Sequence, residues 1–510
     1  MRYLLVGVAG LSLLGACAQE QMPALSSIDY ARGAVVEATI TSIQSDIGAG
    51  KMTCLDVINA YIERIETYDQ SSTINTISYK NYDKARDKAV FVDAAIDKNQ
   101  GLQPLSCVPM LVKDNMDVKG FPTTAGSKIL MDNMPPDDAH IISLLKAQGA
   151  IVLAKTNMAE WAFSPRRTKS TSAGITKNAY NLDHVPAGSS GGTASGIAAN
   201  FALVGLGTDT GNSVRGPSSH LSLVGMRSTH GLLDLDGIVP LVLSADVVGP
   251  MTRTVTDNVI IYAAMGGENH LDALDKNGLR GKRIAIVQEL SVDMDEEIAS
   301  LFEVAINDLK SAGATVINSI NIKDINKHID APWGCRSFRK DVYEYLNGPG
   351  MNAKISDPYQ AYEAGVYSDY TKGAWGYFKG GAQDVATKSD GTICGDLSRD
   401  VMRQNIKKDI LDAMERENID AFIYPTWRYP AARLERAEED YKGDNSQILA
   451  PPTGLPAITI PMGFVSGDLP SGLQILGRVN DEAMLYKLAY AYEQATNHRR
   501  APGGFPPTGK

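Results

Sequence analysis

Between residues 174 and 223 the chain is built mainly from glycine, serine, alanine and threonine, with few charges. Such composition usually marks a flexible linker. Here it cannot, because Ala194 to Leu206 runs apolar and nearly continuous, and a run of that kind is driven out of water. Small side chains at helical spacing let a helix lie close against its neighbours. The segment therefore reads as a buried helix followed by a strand, Leu203-Val-Gly-Leu-Gly207, at the centre of a large core.

The flanking pattern supplies that core. Thr53-x-x-Asp56 opens a helix with Leu55, Ile58, Ile62 and Ile65 on one face. A second helix is expected over 82–97, a strand over 108–112 ending at Lys113, a helix over 141–147 and a buried strand over 151–154. After Pro250 come a helix (254–265), a strand (283–287), a helix (295–312), a strand (314–317), later strands over 420–425, 456–460 and 472–476, and a last helix over 481–495. Short apolar strands alternating with helices predict an α/β fold. Residues 325–400 are less regular and rich in tyrosine and tryptophan, including Trp333, Tyr345, Tyr370 and Trp375. These rings are expected mainly to pack, with some lining the mouth of a site. The net charge of −10 argues against nucleic acid as a partner.

The first residues stand apart. Met1-Arg2 is a basic start, and Leu4 to Leu14 is an apolar run of about 11 residues, too short to cross a bilayer but the length of a signal core. Leu14-Gly-Ala-Cys17 resembles a bacterial lipobox, which predicts cleavage before Cys17 and lipidation of its thiol. Cleavage at Gly15 and Ala16 of an ordinary secretory signal is the alternative. Ala18 after the cysteine points to the outer membrane. Residues 1–16 are thus expected to be a lipoprotein signal peptide and 17–32 a tether, with the domain over 33–510 on the periplasmic face, held by acyl chains. Four cysteines remain, in a compartment that permits disulfides. Cys335 and Cys394 form a candidate pair, whereas Cys107, inside an apolar run, reads as a small unpaired core residue.

The chemistry lies in two places. Val108-Pro-Met-Leu-Val-Lys-Asp-Asn115 carries a lysine at the end of a buried strand, where desolvation can hold the amine neutral. Ala187-Gly-Ser-Ser-Gly-Gly192 and Gly207-Thr-Asp-Thr-Gly-Asn-Ser-Val-Arg215 offer hydroxyls in glycine-rich backbone, and successive N–H groups of such a turn can converge on one oxygen. His220 and His230 lie nearby and read as local hydrogen-bonding groups. A base, two hydroxyls and an oxyanion site are what amide cleavage needs. No zinc-type cysteine pair, phosphate-binding lysine loop or His-Glu-x-x-His is present in the sequence, and neither metal nor cofactor is expected.

Taken together these blocks resemble the amidase signature family, and the resemblance covers most of the chain. It extends through Gly120-x-x-Thr-Thr124-x-Gly-Ser127, Leu153-Ala-Lys-Thr-Asn-Met-Ala-Glu-Trp161, Asp246-x-x-Gly-Pro-Met-Thr-Arg253 and Leu455-Pro-Ala-Ile-Thr-Ile-Pro-Met-Gly463. Its flavour is that of the bacterial peptide-amidase-like branch. The resemblance implies a single three-layer α/β/α domain with a mixed, mostly parallel sheet of about ten or more strands. It also implies a Ser–cisSer–Lys triad: Ser213 as nucleophile, Ser189 as relay, Lys113 as base. Backbone N–H groups of Thr210, Gly211, Asn212 and Ser213 would form the oxyanion hole, with Ser190, Asp209 and Arg215 in support. Three positions depart from the family pattern. Asn212 and Ala187 stand where glycine is usual, and Ala179 replaces a usual proline. Asn212 is expected to tolerate a left-handed backbone while narrowing or polarising the pocket. The implied activity is hydrolysis of a peptide amide or other substituted carboxamide. The alternatives are an inactive binding lipoprotein and an amidotransferase subunit. Oligomeric state is not legible.

Overall fold

The computed structural model describes residues 26–509 except 99, 332, 389, 390, 392, 395 and 396. The signal segment and Cys17 lie outside the described residues. In the large sheet, eleven strands run in the order β1-β3-β2-β6-β8-β7-β12-β13-β11-β9-β10. They are β1 (Ile77–Lys80), β2 (Pro109–Lys113), β3 (Ile151–Thr156), β6 (Val204–Asp209), β7 (Val224–Arg227), β8 (Val247–Thr252), β9 (Arg283–Ile286), β10 (Thr315–Ile317), β11 (Ala421–Pro425), β12 (Ala457–Val465) and β13 (Leu469–Leu476). A separate ribbon pairs β4 (Lys169–Ser170) with β5 (Gly174–Ile175).

The sheet is mixed, and its two flanks and its centre differ. Parallel pairing joins β3 to β2 and β2 to β6 on one flank, and β11 to β9 and β9 to β10 on the other. The expectation of parallel strands holds for these pairs, while β1 joins the edge of the first flank antiparallel to β3. The centre, from β6 through β8, β7, β12 and β13 to β11, is antiparallel. In that central region β12 and β13 follow one another through a short turn, which brings consecutive strands side by side in opposite directions.

Both faces of the sheet are covered, which is why its strands read as unbroken apolar runs. Alternate residues feed different cores. Ile284 and Ile286 of β9 and Ile423 of β11 enter the main core, which extends to the helices Cys54–Tyr68, Val255–Ala264 and Glu482–Thr496. Ala285, Phe422 and Tyr424 point the other way, towards the helix Val401–Arg416. The predicted helix starts are realised: Thr53 and Asp56 form a reciprocal capping box, and Thr254 caps Val255–Ala264. Part of the stretch 17–32, expected to be a tether, is ordered and packed on the domain. A helix, Ser27–Ala34, already lies within it, buries Ala31 and ties Arg32 to Glu63 at 2.9 Å.

Both pairs of described cysteines are joined. Cys335 bonds Cys394, as expected. Cys107 does not stay unpaired: it is buried but bonded to Cys54, a correction to the sequence reading. Cys54 opens the helix Cys54–Tyr68, and that start lies beside the turn before β2, with a Cα–Cα separation of 5.4 Å inside the range a disulfide spans. The irregular region 325–400 builds its own core. Trp375 and Phe338 are fully buried there and meet Trp161 edge-on at 6.1 Å and 5.8 Å. Tyr345 donates to Asp117 at 2.7 Å, and Tyr370 donates to the Lys169 carbonyl. Packing is thus the main work of these rings.

Candidate active site

Lys113 closes β2, whose residues are all buried. Its ammonium nitrogen has no solvent exposure and lies 2.7 Å from Ser189 Oγ and 2.7 Å from Thr208 Oγ1. Burial pulls its pKa from the ordinary 10.5 down to about 7, although the carboxylates of Asp246 and Asp209 favour the charged form. The amine is therefore partly neutral at physiological pH. Thr208, on the adjacent β6, is a contact that the motifs do not reveal. The register sets Leu206 opposite Val112, so strand alternation alone would put Thr208 on the face away from Lys113; the contact forms where β2 ends at Lys113.

Ser189 follows a cis peptide bond to Gly188. Glycine is required at 188 for space: a Cβ there would lie 2.5 Å from the Ser164 carbonyl oxygen and 2.6 Å from that of Arg167. Gly192 is pressed equally hard, since a Cβ would meet the Asn157 carbonyl oxygen at 2.1 Å. The approach at Gly192 seats the helix Gly191–Ala198 against the end of β3, and the helix also packs on β2 and β6. Ser190 donates to the Thr208 carbonyl at 3.3 Å and makes no side-chain cap on that helix.

The turn Thr210–Ser213 joins β6 to the short helix Arg215–His220. Among the described residues, the N–H groups of Gly211, Asn212 and Ser213 donate to no protein acceptor, so the three are available to an incoming oxygen. Asp209 pins the turn from behind. It accepts from the Val214 and Arg215 N–H groups and pairs with Arg215 at 3.1 Å and Arg227 at 3.0 Å, with all three side chains fully buried. Burial works to raise the Asp209 pKa, but the two guanidinium charges outweigh it and hold the carboxyl at about 2. Thr210 donates to Asp246 at 2.5 Å, fixing the start of the turn.

Two expectations need correction. Asn212 does not adopt a left-handed backbone, so its tolerance of that region is not called upon; Ala187 does, at φ 61°. The Asn212 side chain is 1% exposed and turned towards Asp444, to which Nδ2 donates at 3.0 Å. His220 is not locally hydrogen-bonded through its ring: Nδ1 is buried without a partner, and the ring packs on Trp427 with centroids 4.6 Å apart. Burial lowers its pKa to about 3, so it is neutral. His230 does bond locally, to the Leu243 carbonyl at 2.9 Å.

The site thus brings a buried lysine, a serine at a cis peptide and a glycine-rich turn of unclaimed N–H groups together in one α/β domain. The chain belongs to the amidase family, whose model matches residues 56–486. Among its relatives, the A-subunit of glutamyl-tRNA(Gln) amidotransferase from Moorella thermoacetica is 33% identical, over 87% of this chain and 93% of that protein. Its namesake from Bacillus anthracis is 31% identical, over 90% and 97%. Among solved structures, a peptide amidase in complex with the competitive inhibitor chymostatin aligns with a TM-score of 0.78 at 29% identity, over 91% of this chain and 99% of that one. The native peptide amidase of Stenotrophomonas maltophilia gives the same TM-score and identity, with 91% and 98% covered.

Proposed function

We propose that the chain hydrolyses linear carboxamides through an acyl-enzyme on Ser213, without metal or cofactor. The observation that carries this reading is the 2.7 Å contact between the fully buried Lys113 Nζ and Ser189 Oγ, beside a turn whose N–H groups are unclaimed. Neutral Lys113 takes the Ser189 proton as Ser189 takes the proton of Ser213. Ser213 Oγ attacks the carbonyl carbon, and the oxyanion forms against the N–H groups of the turn at Thr210, Gly211, Asn212 and Ser213. Collapse breaks the C–N bond; Ser189 protonates the departing nitrogen and recovers a proton from Lys113. Water then adds to the ester carbon by the same relay and frees the acid.

The substrate class we assign is a C-terminal peptide amide or similar substituted carboxamide, supported by the likeness to the peptide amidases. The expected result is turnover of amidated peptides by the purified chain and none by Ser213→Ala. Turnover of long-chain fatty amides, with no hydrolysis of any amidated peptide, would remove the peptide assignment. A second reading, membership of a tRNA-dependent amidotransferase complex, is favoured by the names of the relatives at 31–33% identity. The net charge of −10 and the export features weigh against it, and hydrolysis of amides by the chain alone separates the two.

We also propose export and lipid anchoring through Cys17 on the periplasmic face of the outer membrane. The lipobox-like Leu14-Gly-Ala-Cys17 and the pairing of all four other cysteines in disulfides support it. Cys17→Ser is expected to shift the protein from the membrane fraction to the soluble envelope fraction; continued membrane retention of that variant would remove the anchor.

A further inference from the structure

Asn212 is held at one end by acceptors alone. Its Nδ2 donates to Asp444 Oδ2 at 3.0 Å and to the Pro165 carbonyl at 3.4 Å. A carboxylate and a carbonyl can only accept, so the NH2 end must face them. The opposite end, Oδ1, then faces Ser213, whose hydroxyl donates to it at 3.4 Å. Asp444 is itself fixed. Tyr441 OH and Gln447 Nε2 donate to the same carboxylate oxygen at 3.0 Å and 2.8 Å, and the Ser446 hydroxyl donates to the other. Gln447 also covers the turn: a Cβ on Gly211 would lie 3.0 Å from its Oε1. The segment 441–447 thus forms the outer wall of the oxyanion turn and reaches the nucleophile through one carboxamide.

We propose that Asp444 is a positioning residue for the reaction: by accepting from Asn212 Nδ2 it determines which end of that carboxamide faces the Ser213 hydroxyl. The proposal rests on the reading of Ser213 as nucleophile. With Oδ1 inward, the 3.4 Å contact is too long to hold the Ser213 proton against transfer to Ser189, and Asn212 places no donor on the Oγ lone pairs. With the amide reversed, Nδ2 would donate to Oγ, engage one of its two lone pairs and lower its nucleophilicity. Asp444→Asn is close to isosteric but replaces the charged oxygen that Asn212, Tyr441 and Gln447 share with a neutral amide, which weakens the hold on the Asn212 amide and lets it reverse.

The test is a double-mutant cycle of Asp444→Asn and Asn212→Gly, read as the second-order rate of labelling by a fluorophosphonate at about pH 8, where Asp444, raised by burial to about 6, is ionised. Asp444→Asn is expected to slow labelling about ten-fold in the native background and less than about two-fold when residue 212 is glycine, because no carboxamide remains to reverse. Equal slowing in both backgrounds, or none in the native one, would overturn the proposal. If Asp444→Asn does not fold, Asp444→Ser enters the same cycle and is judged by the same two outcomes. Labelling that persists in Ser213→Ala would instead defeat the nucleophile assignment, so the two failures are distinguishable.

Discussion

Lys113→Met is expected to lower kcat for amide hydrolysis by about 10⁴-fold or more, the scale on which loss of an essential base acts. Methionine keeps the length and fills the end of β2 but cannot take a proton from Ser189, leaving Ser213 without a route for its own. The measurement is kcat on the best amidated peptide, with binding of a substrate-like acid as a check that the pocket survives. The variant is expected to stay folded, because burying an amine is costly and methionine removes that cost. The sign with pH follows from the depressed pKa. Between 10.5 and about 7 the folded state holds fewer protons at this site than the unfolded chain, so the native protein loses stability as pH falls through that window. Methionine does not titrate, and the thermal midpoint of Lys113→Met relative to the native protein should rise over the same interval. Retention of more than about one-tenth of native kcat would contradict the assignment of Lys113 as base.

Asp209→Asn carries the second large effect, on stability rather than on a reacting atom. The carboxylate neutralises both Arg215 and Arg227 in a site without solvent exposure. Its loss leaves two buried guanidinium groups uncompensated, a change that costs about 3–5 kcal/mol and, in a chain of this length, lowers the thermal midpoint by roughly three to five degrees. Because the folded-state pKa is held below the ordinary 3.8, at about 2, the native contribution is present above pH 3.8 and is lost as pH falls through about 2. The gap between variant and native protein should therefore close in acid. A variant as stable as the native protein at neutral pH would show that the clamp behind the turn contributes nothing.

Local signals make much of this architecture legible. The capping box at Thr53 and Asp56, the helices Tyr82–Asp97 and Glu482–Thr496, and the strand ending at Lys113 all follow from periodicity and caps. The small-residue segment is buried as its apolar run requires, because Gly192 and Gly205 sit where a Cβ would strike the Asn157 carbonyl or Thr193. Less of the sheet's centre is readable. β7 is only four residues long, and β8 carries Gly249 and Pro250 in Val247–Thr252, residues that weaken any strand reading. The long helix Val401–Arg416 escapes a reading from periodicity because its many charges mask its apolar face.

At the site, Lys113 and Ser189 can be named from motifs, and the structure brings them into contact. Thr208 looks like strand filler until β2 and β6 are laid side by side. Asp444 cannot be found from its surroundings in sequence: its partner Asn212 lies 232 residues away, and neither residue sits in a periodic element. The Cys54–Cys107 bond is hidden for a related reason, since a buried apolar setting does not reveal what another segment brings to it.

Catalysis by this route depends above all on an amine at position 113 that is neutral at working pH. The rate of Ser213 labelling by a fluorophosphonate, followed from about pH 5 to pH 10, tests this directly. The predicted profile rises with a single midpoint near the Lys113 pKa of about 7 and loses that limb in Lys113→Met. A profile unchanged by Lys113→Met, or one that rises only near the ordinary lysine value of 10.5, would contradict it.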